Sequence, residues 1–464
     1  MRSDKLPADF LNTLEGMLGT KGLNRYIESL ECERVYGLRT NPLKATPEQL
    51  KSLLTCLTHN VPWLPEGFYF SPENRPTKSV WYHAGLFYVQ EPSAMLPAAV
   101  AGIEPGHTVL DICAAPGGKT TQAAGYLQGK GLIVANDISI SRCKPLVKNI
   151  ELSGVTNAIV ICEKPERLAG RFVDFFDRIL IDAPCSGEGM FRKDKSAISS
   201  WSRHKPEACA AIQWNILNKA AIMLKPGGRM VYSTCTFEPS ENEDMIEWFL
   251  GAHNEFSIVP INCSELGISA TTSGAGRIWP HLQEGEGHFV CVLSKSTNNS
   301  HRINDSSKTK EDTAVGAQKL SSRHKNLEHV SMDYFRGFCE EYLTNELDGN
   351  FVTLGESLYK IPSPMPDLGG IRTVRNGWYL GELKIKRFEP SQAFAMGLKK
   401  SDVRNTINFS SNSRDAERYL KGESFDVEAK NGWALVCVDG YPLGWAKVQN
   451  GRMKNKYLKT WIMR

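Results

Sequence analysis

From Val100 to Leu293 the sequence alternates short apolar runs with stretches of helical length, and few folds accommodate that alternation. Strands are predicted at Val109–Ile112, Leu132–Ala135, Ala158–Cys162, Arg178–Asp182 and Met230–Thr234, each rich in apolar or β-branched residues. Helices are predicted between them at Ser141–Ser153 and Cys209–Leu224, the second closed by Lys225-Pro226-Gly227-Gly228. Parallel neighbours cannot be joined by a tight turn, so each pair needs a crossover, and a helix supplies it. The chain therefore reads as an α/β protein with a doubly wound, mostly parallel sheet, whose ligands belong beyond the carboxyl ends of the strands. Two later apolar runs, Phe256–Ile261 and Phe289–Leu293, are expected to add a hairpin at one edge.

The first strand runs into "LDICAAPGGKTTQAAG", which has the look of a phosphate-binding loop. A Walker loop needs a glycine five positions before its Gly-Lys-Thr so that the backbone can wrap a phosphate. Cys113 stands there instead. Nor can the dinucleotide pattern Gly-x-Gly-x-x-Gly be drawn through Ala114-Ala115-Pro116-Gly117-Gly118. Strand, glycine turn and a helix starting near Lys119 still make a binding turn, so the loop is read as holding a nucleoside-like ligand.

The other strand ends carry chemistry as well. Asp137 closes the second strand about 20 residues past the glycine turn, where an acid commonly accepts hydrogen bonds from a ribose diol. Glu163 ends the third and could reach an adenine amino group. Asp182 ends the fourth, followed by Cys185, and Cys235 ends the fifth. Acids after strands also cap helices, and lone cysteines are usually small buried hydrophobes. Cys185 and Cys235 differ from the other ten in standing just past a strand, among polar turn residues.

The core belongs to a domain read at residues 76–294, and before it residues 1–75 read as a small α/β unit with helices at Asp9–Leu18 and Pro47–Leu57. Residues 295–332 are polar and without Phe, Trp or Tyr, a composition that cannot bury a core and is expected to form a mobile linker. Two further units are expected, at 333–388 and 389–464. The net charge of +4 says little, but Tyr441–Arg464 holds six Lys or Arg and no acid, interleaved with Trp445, Tyr457 and Trp461. That mixture suits RNA, by phosphate neutralisation and base stacking; equally, the rings could face a core beneath a basic surface. No apolar run approaches the roughly 18 residues of a membrane span, and the start has no apolar signal core. The twelve cysteines include no Cys-x-x-Cys pair, which disfavours zinc or a disulfide framework and fits a reducing cytoplasm; no metal is expected.

The segments "DICAAPGGKT", "NDIS", "DAPCSGEGMFRKD" and "YSTCTFEPSENE" resemble those of the NOL1/NOP2/Sun group of S-adenosylmethionine-dependent RNA cytosine-5 methyltransferases, most of all its bacterial RsmF (YebU-like) branch, which acts on small-subunit ribosomal RNA. The resemblance covers Val80–Ser294, and more weakly the N-terminal unit with "LRTNPLK" and the C-terminal extension. It implies a Rossmann-like class I methyltransferase core flanked by a small N-terminal α/β unit and a C-terminal PUA-like, RNA-binding extension. It also implies that Cys113, Ala114, Ala115, Pro116, Gly117, Gly118 and Lys119 cradle the methionine part of S-adenosylmethionine, that Asp137 holds the ribose, and that Glu163 lies near the adenine. Asp182 would lie between cofactor and target base, Cys235 would be the nucleophile, and Cys185 would help release product. Trp433, Trp445 and the closing basic segment would contact RNA.

The residue types suit that reaction. Carbon 5 of cytosine is a poor nucleophile until a thiolate adds at carbon 6, and a thiolate both attacks and leaves well. An acid at ring nitrogen 3 eases the addition; assigned to Asp182, this calls for a raised pKa or a shared proton. The base must be unstacked to reach both cysteines. Ribosomal RNA or the small subunit is the expected partner, with no membrane and a monomer as the simplest assembly. Two other readings stay open: a transfer-RNA cytosine-5 methyltransferase with the same core, and an assembly factor that binds RNA without catalysis. An amino-methylating enzyme is disfavoured, because "DAPC" stands where Asn/Asp-Pro-Pro-Tyr would be needed.

Overall fold

The computed structural model describes residues 6–193, 195–202, 205–271, 273–297 and 325–463. Most of the 295–332 stretch expected to be a linker lies outside the described residues, and a helix at Lys325–Tyr342 begins within it.

The strands form four sheets. The first contains β1 (Gly37–Thr40), β2 (Leu57–Val61), β3 (Leu64–Phe70) and β4 (Phe87–Val89), in the order β2-β3-β1-β4. It thus takes a strand from beyond residue 75. The expected helix Pro47–Leu57 stops at Leu53, after a start fixed by a Thr46/Gln49 capping box and Pro47. The helix expected at Asp9–Leu18 extends over Ala8–Ser29, with a break where Gly19 takes φ 64°.

The second sheet is the core. It holds β5 (Thr108–Asp111), β6 (Leu132–Asn136), β7 (Ala158–Ile161), β8 (Phe176–Asp182), β9 (Leu224–Thr234), β10 (Phe256–Ile258), β11 (Ser269–Ala270), β12 (Gly276–Ile278) and β13 (His288–Lys295). The path runs β11-β12-β13-β9-β8-β5-β6-β7, and the five strands from β9 to β7 are all parallel. The chain winds outward from β5 to β7, then returns to β8 on the other side of β5. That reversal creates a crevice at the carboxyl ends of β5 and β8. Both faces are covered, which explains the near-continuous apolar strands: Val109, Ile133, Val160, Leu180, Val231 and Val290 enter one core layer, while Leu110, Val134, Ile159, Ile181, Tyr232 and Phe289 enter the other.

The hairpin expected from Phe256–Ile261 and Phe289–Leu293 is not a simple edge hairpin. β10 does pair antiparallel with β13, but β11 and β12 lie between them in sequence, and β13 is clasped by β9 on its other side. At the opposite edge a strand from far along the chain, β16 (Thr373–Asn376), pairs antiparallel with β7.

The third sheet contains β14 (Asn350–Leu354), β15 (Ser357–Ile361), β17 (Trp378–Lys384) and β18 (Arg387–Pro390), and the fourth β19 (Thr406–Phe409), β20 (Gly432–Val438), β21 (Tyr441–Gln449) and β22 (Arg452–Asn455). Here the aromatic rings expected on RNA face inward. Trp433, Trp445, Tyr457 and Trp461 are all buried, Trp445 to 1% exposure, whereas Lys447, Arg452, Lys454 and Lys459 are exposed. The rings that could have stacked on bases form the core beneath a basic shell: Trp433 and Trp445 pack with Phe338 and Phe394, and Tyr457 and Trp461 with Tyr419 and Phe425. No helix among the described residues is long and apolar enough to cross a membrane.

Candidate active site

The glycine turn sits at the end of β5, and its shape follows from its residues. Gly117 has φ 110°, a conformation that favours glycine, and its N–H closes the turn on the Ala114 carbonyl at 2.7 Å. A side chain at Gly118 would approach the Gln90 amide to 3.1 Å. Three side chains hold the turn in place. Arg39, from β1, donates to the Gly118 carbonyl, to Thr121 and to Gln90; Arg142 donates to the Ala115 carbonyl and Asn149 to that of Pro116. The N-terminal unit is thus built into the ligand turn.

Cys113, Ala114, Ala115, Pro116, Gly118 and Lys119 line one cavity of about 210 Å³ together with Asp111, Asp182, Glu91 and Lys193. Lys119 lies 2.7 Å from Asp182. Burial alone would raise the Asp182 carboxyl, but the Lys119 ammonium, His288 and hydrogen bonds from Lys119 and Ser233 outweigh it and hold its pKa below the usual value. The raised pKa expected for Asp182 is therefore not found; the alternative of a shared proton stands. The raised carboxyl is its neighbour Asp111, pushed by burial to about 7. Its Oδ2 accepts from Thr120 at 2.6 Å, while Oδ1 is buried with no partner among the described residues. Burial raises the Cys113 thiol, with Asp111, Asp182 and Asp137 adding to the effect, so it keeps its proton.

Asp137 and Glu163 lie at the ends of β6 and β7, outside the lining of that cavity. Asp137 accepts from the Ser139 N–H at 2.9 Å and lies 3.2 Å from Arg142. Glu163 Oε1 accepts the Arg372 N–H at 2.9 Å, and Oε2 lies 3.5 Å from Arg167. Buried Asn136 ties the strand ends together, donating to the carbonyls of Ile112 and Glu163 and accepting the Glu163 N–H.

The two cysteines come together: Cys185 Sγ lies 3.2 Å from Cys235 Sγ, and both are half-buried. The hydrogen bond to Cys235 and then burial raise the Cys185 thiol well above its ordinary value, so Cys185 keeps its proton. The loops bearing them are stitched by Ser186 to Thr236 at 2.6 Å and by two buried carboxylates. Glu241 accepts from the Ser186 N–H and Gln213; Glu188 accepts from Thr236, the Phe237 N–H and Trp201. Burial raises Glu188 to about 7 despite those donors. Beneath, Phe237 stacks on Trp279 at 4.6 Å and meets Tyr26 of the first helix edge-on.

Sequence reasoning missed several of these groups. Asp111 carries the same signal as Asp137, an acid ending an apolar strand. Arg39 is a charge inside the apolar strand β1, and His288 a histidine opening the apolar run of β13. His288 is buried beside Lys119 and Asp182, and burial lowers it to about 3, so its imidazole is neutral. Register explains its place: Phe289 pairs with Thr234, so His288 comes opposite Cys235 at the sheet end. Glu188 and Glu241 gave no local signal, since their partners lie on other loops.

Four family models match in order: the N-terminal domain of 16S rRNA methyltransferase RsmF over residues 6–92, 16S rRNA methyltransferase RsmB/F over 99–294, the RsmF rRNA methyltransferase first C-terminal domain over 337–398, and the methyltransferase RsmF PUA domain over 406–463. Ribosomal RNA small subunit methyltransferase F of Erwinia tasmaniensis is 30% identical over 97% of this chain and 95% of its own length. The protein of that name from Shewanella loihica is 31% identical over 90% of this chain and 87% of its own. Among solved structures, a methyltransferase homolog from Pyrococcus horikoshii superposes with a TM-score of 0.52 at 30% identity, covering 62% of this chain and all of that one. The matches span the chain from the N-terminal unit to the last sheet, and the chain belongs to the RsmB/F family of S-adenosylmethionine-dependent 16S rRNA methyltransferases, with the four segments of the RsmF type.

Proposed function

We propose that this chain methylates carbon 5 of a cytidine in 16S rRNA through a covalent bond between Cys235 and carbon 6 of the base. The observation that carries the reading is the 3.2 Å approach of two thiols on loops that end β8 and β9, beside the glycine turn. The cavity fits the cofactor: it is lined by backbone and carboxylates suited to a sulfonium nucleoside, and the Asp111 Oδ1 it buries lacks a partner among the described residues. Residues 113–119 would hold the methionine part, Asp137 the ribose and Glu163 the adenine. When bound, S-adenosylmethionine supplies the electrophilic methyl group.

Cys235 attacks as the thiolate, aided by the Cys185 S–H directed at its sulfur. Nitrogen 3 of the base takes a proton from the Lys119–Asp182 pair as the ring becomes an enamine nucleophilic at carbon 5. After methylation, a water positioned by Cys185, which keeps its own proton, removes the carbon 5 proton and passes it to solvent. The carbon–sulfur bond then breaks, Cys235 leaves as thiolate under the Cys185 S–H, and nitrogen 3 returns its proton to the pair. The N-terminal unit (1–75) and the units at 333–388 and 389–464 grip the surrounding RNA, the last through its basic shell. The chain works as a monomer in the cytoplasm.

Nucleoside mass spectrometry on RNA treated with protein and S-adenosylmethionine tests this. New 5-methylcytidine in 16S rRNA or small subunits, absent with Cys235→Ala, is expected. The same product confined to transfer RNA would replace the substrate; none in any RNA, with cofactor bound, would leave a non-catalytic assembly factor.

A further inference from the structure

Beyond the end of β7 the central sheet is completed by a segment of the C-terminal unit. β16 pairs antiparallel with β7, Thr373 against Ile161 and Asn376 against Ile159. The segment before it is anchored at several points. Arg171 meets Asp367 at 2.7 Å and donates to the Gly369 carbonyl, Arg167 donates to that of Gly370, and Leu368 and Ile371 pack on the core. Arg375 forms an ion pair with Glu151 in which both side chains are largely buried.

Where the ladder ends, its hydrogen bonds change character. The Cys162 N–H donates to the Arg372 carbonyl at 2.8 Å, as in a sheet, but the Arg372 N–H turns to the Glu163 carboxylate at 2.9 Å. A strand that merely covered an exposed edge would need only ladder bonds. A main-chain donor directed at a side-chain carboxylate extends no sheet. It fixes that carboxylate's direction, together with Arg167, which contacts both Glu163 and the β16 segment.

We propose that the C-terminal unit is a working part of the cofactor site: the Arg372 N–H aims Glu163 at the adenine amino group, so cofactor binding and docking of residues 367–376 strengthen each other. This rests on the reading of Glu163 as the adenine acid. Arg372 is a positioning residue that acts through its backbone, and its side chain is dispensable to the effect. Because coupling is reciprocal, whatever affinity the cofactor gains from the docked segment, the segment gains from the cofactor. An enzyme whose RNA-facing unit reports cofactor occupancy would hold RNA in step with its methyl donor.

The test uses the full chain and calorimetric titration with S-adenosylhomocysteine and with S-inosylhomocysteine, in which a carbonyl replaces the amine. Arg372→Ala keeps the N–H and should bind both as wild type does. Arg372→Pro removes the donor and should weaken the adenosyl ligand about tenfold, the worth of one hydrogen bond to a charged carboxylate, while leaving the inosyl ligand little changed. Glu163→Ala should show the same loss of discrimination. If Glu163→Ala binds and discriminates normally, the adenine reading of Glu163 falls, and the proposal with it. If Glu163→Ala loses discrimination but Arg372→Pro keeps it, or loses both ligands equally, the proposal alone is overturned. Should Arg372→Pro fail to fold, hydrogen exchange on the wild type decides: saturation with S-adenosylhomocysteine should slow exchange across residues 368–376 several-fold, and unchanged exchange there refutes the coupling.

Discussion

Cys185 Sγ and Cys235 Sγ are 3.2 Å apart, and a proton between them can serve only one sulfur at a time. The hydrogen bond to Cys235 and burial keep it on Cys185. Cys185 is therefore equipped to stabilise the Cys235 thiolate before attack and again on departure, and has less to offer the attack on carbon 6 itself. Cys185→Ala should form the RNA adduct and release it slowly, giving a protein–RNA band that survives denaturation; fast, complete turnover by this variant would remove the role. Asp111 gives a second prediction. Its pKa rises from 3.8 to about 7, so it stabilises the fold below its unfolded value and loses that contribution as pH climbs through about 7. Asp111→Asn, which keeps an acceptor for Thr120, should be more stable than wild type at pH 8 by up to about 4 kcal/mol, with the gap closing towards pH 4 in denaturant unfolding. A gap that does not vary with pH would show that the carboxyl does not titrate there.

At the level of elements, the site depends on loops crossing without side chains between them. Gly189 donates its N–H to the Cys235 carbonyl and accepts from the Gly287 N–H, so three backbone segments meet. A Cβ at Gly189 would lie 2.6 Å from the Gly287 carbonyl oxygen and 2.9 Å from that of Cys235, and backbone atoms cannot move aside as a side chain can. Gly189→Ala should displace the loop that carries Cys235 while sparing the glycine turn on β5. The expected result is a fall in kcat of about 100-fold, the scale of an ångström misplacement, with cofactor affinity unchanged by titration. A parallel fall in cofactor affinity would mean the damage spreads across the sheet.

On the scale of the whole molecule, the flanking units do more than surround the core. The N-terminal unit braces the glycine turn through Arg39 and the Cys235 loop through Tyr26, and the C-terminal unit reaches Glu163 through the segment leading into β16. In the last sheet Trp433, Trp445, Tyr457 and Trp461 are buried, so its surface offers charge rather than stacking rings to a polyanion. Lys454 and Lys459 lie on that exposed face. Substituting both by Gln should weaken 16S rRNA binding and make the dependence of log affinity on log salt shallower by about one for each phosphate no longer neutralised, with cofactor affinity intact. Unchanged salt dependence would move the RNA path elsewhere.

The alternation of elements, the glycine turn and the placing of Asp137, Glu163, Asp182, Cys185 and Cys235 at strand ends were legible in the sequence, because each depends on a few neighbouring residues and a local periodicity. Glu188, Glu241 and His288 were not, because their roles come from partners on other loops or from strand register. Trp445 shows the same limit, since composition made it equally suited to RNA and to a core, and only its packing against Phe338, Phe394 and Trp433 chose the core. The joining of β16 to β7 brings Arg372 to Glu163 across 209 positions. No local pattern encodes a pairing at that distance: it forms only once both units are folded and their edges meet, and so tertiary structure alone decided which part of the chain completes the site.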